Sequence, residues 1–199
     1  MNELRLILAS GSPRRKDLLE TVGINPVVIP SDFDETCIDN NGFTPDVFVS
    51  VLARKKAEAV ACKYPSDLVL GADTIVVLDG EVLGKPRGRK DAVSMLERLS
   101  GRTHQVYTGL ALYRPGTQEF ISDFDCSSVT MREMDSGEIQ WYVSTNEPMG
   151  KAGSYAIQGR AALFITGIMG DYTSVIGLPI PKLYEILKKA GVDIKSLID

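Results

Sequence analysis

Hydrophobic positions change their spacing repeatedly along this chain, and each change marks an element. Short apolar runs bounded by turn residues read as strands: Leu4 to Ala9, ended by Ser10-Gly11-Ser12-Pro13, and Pro26 to Ile29. Between them, Arg14 to Thr21 reads as a helix with Leu18 and Leu19 inward, closed by Gly23. Residues 31–42 carry Asp32, Asp34, Glu35 and Asp39 and form a polar loop. Thr44 is an N-cap with Pro45 at the first helical position, and Phe48, Val51, Leu52, Ala59 and Val60 share one face of the helix that follows. Leu68–Leu70 and Ile75–Leu78 read as two strands flanking Gly71-Ala72-Asp73-Thr74, with a hairpin turn at Asp79-Gly80. Ala92, Met95, Leu96 and Leu99 recur at helical spacing and predict an amphipathic helix over 89–99.

The second half opens with a long hairpin, 104–113 and 118–131, around Pro115-Gly116. A short helix capped by Asp135 runs to Tyr142, and 145–160 is rich in turns. Leu163–Ile168 and Tyr172–Ile176 read as strands around Gly170. A last helix starts near Pro181 and buries Leu183, Ile186, Leu187 and Ala190. Strand–helix alternation followed by hairpins predicts an α/β fold on a mixed sheet.

Composition narrows the function classes. The 199 residues fit one domain spanning 1–199, at about 150 residues per domain. Net charge is −4, which argues against a nucleic-acid partner, so a local basic cluster points to a small anion. No apolar run is long enough to span a membrane, and MNELRLILAS reads as a first strand rather than a signal peptide. Cys37, Cys62 and Cys126 lie too far apart for a disulfide framework or a zinc knuckle; they read as buried small hydrophobes in a reducing, cytoplasmic compartment. His104 is the only histidine, and a structural role is expected for it.

The segment Ser10-Gly11-Ser12-Pro13-Arg14-Arg15-Lys16 joins a strand to a helix. Basic residues in a first helical turn oppose the helix dipole, and a bound anion offsets that conflict. The alternative is a serine-capped helix with surface basic residues; the local pattern favours neither. Asp73 lies between Leu68-Val69-Leu70 and Ile75-Val76-Val77, where a carboxylate is costly unless paired or metal-bound. It can hold Mg²⁺ or accept a proton from water, and the alternative is an Asp capping a turn at a strand break. The acidic loop Asp32-Phe33-Asp34-Glu35 reads alone as solvated, and with Asp73 completes an oxygen-only Mg²⁺ site. Arg54, Lys55, Lys56 and Lys85 read singly as solvated charges. Gln158, after a glycine-rich turn, carries an amide able to read a base edge or simply to face water.

Four segments taken together resemble the Maf family of nucleoside triphosphate pyrophosphatases: LILASGSPRRKDLL, LGADTIVVLDGEVLGKP, LSGRTHQVYTG and AGSYAIQGRAALFI with GDYTSVIGLPI. The resemblance runs from about Leu6 to Leu187. It implies the fold of the inosine triphosphate pyrophosphatase superfamily, a twisted mixed sheet split into two lobes with a nucleotide cleft. The implied reaction is NTP + H₂O → NMP + pyrophosphate with Mg²⁺ or Mn²⁺, in nucleotide-pool house-cleaning. It puts the proton acceptor on Asp73, the acidic metal position on Glu35 with Asp73, and phosphate contacts on Ser10, Arg15, Lys56 and Lys85. Arg14, Thr74 and Gln158 match the dTTP/UTP branch; the 7-methyl-GTP branch has SPWR, with Gln and Glu at the other two positions. Gly84 stands where some relatives carry Glu. Look-alikes are usually homodimers. The rival implication is a nucleotide-binding regulator of cell division and septum formation with little turnover.

Overall fold

Strand β1 (Leu6–Leu8) is flanked on both sides by parallel partners, β2 (Val27–Val28) and the much longer β3 (Leu68–Leu78). A computed structural model describes residues 5–198, so Leu4 of the expected first strand lies outside the described residues. Helix α1 (Pro13–Thr21) connects β1 to β2, and α2 (Pro45–Ala61) leads to β3. The turn Asp79-Gly80, both at positive φ (53° and 80°), folds β4 (Glu81–Leu83) antiparallel onto β3. After α3 (Arg89–Leu99) come β5 (Thr103–Arg114) and β6 (Glu119–Met131), then α4 (Ser136–Ser144). β7 (Ile165–Met169), α5 (Tyr172–Ile176) and α6 (Ile180–Lys189) complete the chain. The sheet is seven-stranded and mixed, in the order β2-β1-β3-β5-β6-β7, with β4 on β3. This is the α/β class that the alternation predicts.

The chain falls into two compact units. Unit one holds the described residues up to Asp73, Thr108–Asp125 and the chain from Gly177; unit two holds Thr74–Tyr107 and Cys126–Ile176. In unit one, alternation along the strands builds a core on each sheet face. Leu6, Leu8, Leu68, Leu70, Leu110 and Leu112 pack with Leu19 of α1 and with Leu183, Ile186 and Leu187 of α6. Ile7, Val69 and Ala111 pack with Ala53, Ala57 and Val60 of α2. In unit two, Val76, Leu78 and Val129 pack with Leu96 and Leu99 of α3, with Ile139 and Tyr142 of α4, and with Phe164. His104 is buried there, with its Nε2 2.7 Å from the Tyr155 hydroxyl.

Three expectations are corrected. Leu68–Leu78 is one uninterrupted strand, so Asp73 caps no break; apart from Thr74 every residue in it is buried, which is why its pattern shows no alternation. Tyr172–Ile176 is helical rather than extended. The Asp171 carboxylate accepts from the Thr173 amide (2.8 Å) and hydroxyl (2.7 Å), and this capping overrides the β preference of Thr, Val and Ile. The three cysteines are exposed, not buried. Cys126 alternates with buried Ser127 on β6, while Cys37 and Cys62 sit at the ends of helical turns.

Candidate active site

The site in unit one starts from a close approach of α2 to the sheet. A Cβ on Gly71 of β3 would lie 2.2 Å from the Ala53 carbonyl oxygen and 2.8 Å from the Ala57 amide nitrogen. A Cβ on Gly109 of β5 would lie 2.5 Å from the Val49 carbonyl oxygen. Glycine at these positions therefore lets the α2 backbone rest directly on the strands. The buried positions of α2, Phe48, Val49, Leu52, Ala53, Lys56, Ala57, Val60 and Ala61, follow one helical stripe. Lys56 belongs to that stripe. Of the face expected for α2, Phe48, Leu52 and Val60 are buried, while Val51 and Ala59 are only half-buried.

Asp73 lies two residues beyond Gly71 and so shares its face of β3. The Lys56 ammonium reaches the Asp73 carboxylate (Oδ1) and stands 2.7 Å from Glu35 Oε1. Lys56 and Asp73 are both about nine-tenths buried, and Glu35 is half-buried. Glu35 opens a short 3-10 turn, held by the Asp34 carboxylate accepting from the Thr36 amide at 2.9 Å. Arg54 and Lys55, by contrast, are exposed and pair with Glu58 along the helix surface, as expected for solvated charges.

The other half of the cluster comes from the β1–α1 junction. Ser10 Oγ accepts from the Ser12 amide (3.2 Å) and from Arg15 Nη1 (2.9 Å). Arg15 Nε donates to the Gly177 carbonyl at 2.8 Å. Ser12 is the N-cap of α1 but makes no side-chain capping bond, and Arg15 is buried, so the reading as a serine-capped helix with surface basic residues holds only in part. Burial pushes the Arg15 guanidinium below its ordinary value; Asp73 pulls it back, Arg14 adds to the depression, and Glu35 opposes it. A buried Arg costs desolvation energy, and two nearby carboxylates offset part of that cost. Arg14 is half-buried, and its Nε has no hydrogen-bond partner among the described residues.

Thus Ser10, Arg15, Glu35, Lys56 and Asp73 come together in unit one, and Arg14 lies in the same unit next to Arg15 on α1. The remaining expected residues belong to unit two. Thr74 follows Asp73 in β3, half-buried and on the opposite strand face. Lys85 is exposed just after β4, and Gln158 is exposed in the turn after Tyr155. Among the described residues no group of three or more His, Cys, Asp or Glu side chains is placed to hold a metal, and no helix is long and apolar enough to cross a membrane. Sequence reasoning missed Gly71, whose position inside an otherwise apolar strand was the available signal. It also missed the Gly177 carbonyl that orients Arg15, which has no side-chain signal at all.

Relatives are similar to this chain over nearly its whole length. A dTTP/UTP pyrophosphatase of Symbiobacterium thermophilum is 50% identical over 190 residues, 96% of each chain. One from Pelotomaculum thermopropionicum is 47% identical over 189 residues, covering 95% of this chain and 98% of its own. One from Bacillus anthracis is 44% identical, covering 96% and 97%. The family model described as Maf-like protein matches residues 5–190. Matched by that family model over residues 5–190 and by relatives 44–50% identical over nearly its full length, the chain belongs to the Maf-like protein family.

Proposed function

We propose that the protein hydrolyses dTTP and UTP to the monophosphate and pyrophosphate. The observation that carries this reading is the buried Lys56–Asp73 pair, joined by half-buried Glu35 and standing beside Arg15, in a chain similar over almost its full length to dTTP/UTP pyrophosphatases. Triphosphate hydrolysis needs neutralised phosphate charge, a held leaving group and a water stripped of its proton. Arg15, with its plane set by Ser10 and the Gly177 carbonyl, forks onto phosphate oxygens. Lys56 and Lys85 add ammonium charge, and Ser10 adds a hydroxyl. Asp73 accepts the proton of the attacking water, and Lys56 holds that carboxylate in place.

Glu35 and Asp73 would hold a divalent cation, Mg²⁺ or Mn²⁺. Both are hard oxygen donors, and both already reach one cationic atom, the Lys56 Nζ. Such ions commonly take one or two carboxylates and complete their shell with water and substrate phosphates. When bound, the ion supplies further neutralisation of phosphate charge. Base selection falls to Arg14, Thr74 and Gln158. Arg14 offers donors only and so favours a carbonyl edge over an amino group, and the Gln158 amide complements the paired acceptor and donor of uracil and thymine.

Pyrophosphate release measured over UTP, dTTP, CTP, ATP and GTP tests the reading. UTP and dTTP are expected to be preferred. Asp73→Asn should lose about 10²–10⁴-fold in turnover while its thermal unfolding stays cooperative. Attack at the α-phosphorus places the solvent oxygen in the monophosphate, which isotope-labelled water reports. A folded Asp73→Asn protein with native turnover, or a wild type that prefers purines, refutes the assignment.

A further inference from the structure

The exposed Gln158 sits in a segment anchored on both sides by buried groups of unit two. Upstream, Gly153 and Ser154 turn the chain at positive φ (64° and 61°). The Tyr155 hydroxyl is fixed by His104 Nε2 at 2.7 Å, and the Ala156 amide faces the Tyr142 hydroxyl at 3.4 Å. Downstream, one carboxylate gathers the backbone. Glu147 Oε2 accepts from the Arg160 amide (3.1 Å) and from Arg160 Nη1 (3.3 Å), and its Oε1 accepts from the Ala161 amide (3.3 Å) and the Tyr142 hydroxyl (3.1 Å). Tyr142 thus links the two sides, donating to Glu147 while receiving Ala156. Glu147 is itself held after α4: its amide donates to Thr145 Oγ1 at 3.2 Å, and Lys151 Nζ donates to its carbonyl.

Gly159 is shaped to this carboxylate. Its φ is +141°, and a Cβ there would lie 2.6 Å from Glu147 Oε1 and 2.9 Å from its Cδ. The carboxylate can approach the backbone only because that Cβ is missing. With four donors on two oxygens, Glu147 has its acceptor capacity engaged by the protein and is suited to hold the turn rather than to contact substrate.

We propose that Glu147 is a positioning residue for base selection, locking residues 159–161 so that the Gln158 amide is presented in one orientation. The inference rests on the reading that Gln158 recognises the base. An amide free to reorient can meet the reversed donor–acceptor pattern of cytosine as well as that of uracil, so a turn that does not fix its orientation discriminates less between them. Neutral Gln at 147 keeps one acceptor and turns an N–H₂ toward a backbone donor. Ala removes both acceptors and strands two amides.

The test is kcat and KM for UTP and CTP in wild type, Glu147→Ala, Glu147→Gln and Gln158→Ala, with amide hydrogen exchange read alongside. Glu147→Ala is expected to cut the UTP/CTP ratio of kcat/KM about tenfold, mostly through KM for UTP, with Glu147→Gln between it and wild type. Exchange at Arg160 and Ala161 should quicken while the α3 amides keep their protection, which a general loss of stability would not produce. Gln158→Ala eroding selectivity while folded Glu147→Ala preserves it overturns the proposal and leaves the base reading standing. Selectivity untouched by Gln158→Ala removes the base reading, and the proposal with it. Should Glu147→Ala fail to fold, Glu147→Gln and Gly159→Ala carry the same comparison.

Discussion

The contact between Gly71 and α2 makes a sharp prediction, because a single methyl group should move the proposed chemistry without touching any charged residue. In Gly71→Ala the new Cβ would stand 2.2 Å from the Ala53 carbonyl oxygen, 2.8 Å from the Ala57 nitrogen and 3.0 Å from the Ala57 Cβ. Carbon and carbonyl oxygen rest no closer than about 3.3 Å, so the helix or the strand must retreat by about 1 Å. The two shortest contacts are to α2 backbone and the third is to a Cβ, so no side-chain rotation relieves them. Overpacking of this kind costs about 1–3 kcal/mol, which for a chain of this length is a fall in Tm of about 2–12 °C. Lys56 lies between Ala53 and Ala57 and moves with them, away from Asp73 and Glu35. A displacement of about 1 Å at a reacting group can cost about 10²-fold in rate. Thermal unfolding reports the first effect and pyrophosphate release from UTP the second. Activity should fall by far more than the folded fraction does at the assay temperature. Gly71→Ala with native Tm and native turnover would refute both the close approach and the placement of Lys56 through it.

Two further outcomes follow from other parts of the molecule. Arg15→Lys keeps the charge but loses the fork set by Ser10 and the Gly177 carbonyl, so inhibition by pyrophosphate should weaken about tenfold or more, while inhibition by uridine stays nearly constant; equal weakening of both would mark Arg15 as a structural cation only. His104 is pushed by burial from 6.5 down to about 4, so the unfolded chain takes up a proton before the folded one does; its contribution to stability is full above pH 6.5 and is lost as pH falls toward 4. That contribution is about 3 kcal/mol, and His104→Gln should lose correspondingly less stability between pH 7 and 4 in denaturant titrations; identical losses in variant and wild type would exclude His104 as the source.

Regular periodicity made much of the fold legible. The helix over 89–99 and the Asp79-Gly80 turn stand where the pattern puts them, and the strands expected over 104–113 and 118–131 run Thr103–Arg114 and Glu119–Met131. Failures came where a local interaction outweighs pattern. The Asp171 cap makes a helix of Thr-Ser-Val-Ile, and burial of both faces erases alternation across Leu68–Leu78. Polar loops gave no hint of which acidic side chain turns inward. Glu35 is distinguished from Asp32 only by the Asp34-capped turn that aims it at Lys56, whereas exposed Asp32 pairs with Lys63 on the surface.

The basic residues show why a site can be hidden in plain composition. Arg54, Lys55 and Lys56 form a run that reads as solvated, yet successive residues of a helix point about 100° apart, so the three cannot all share one side of the helix. The buried stripe, which includes Val49, Leu52, Ala53, Ala57 and Val60, has its vacant helical position at 56. The same holds on α1, where the buried residues are Arg15 and Leu19, one turn apart. In each helix a cation occupies a position where the apolar period calls for a hydrophobe. Burying a lone cation would be prohibitive, so each demands buried acceptors nearby. The strand carboxylate of Asp73 is an anomaly of the opposite sign in the same unit. Each anomaly taken singly reads as a surface charge or a turn cap. Matched in sign and placed on inward faces, they require one another, and they are what a polyanionic substrate with its counter-ion can engage.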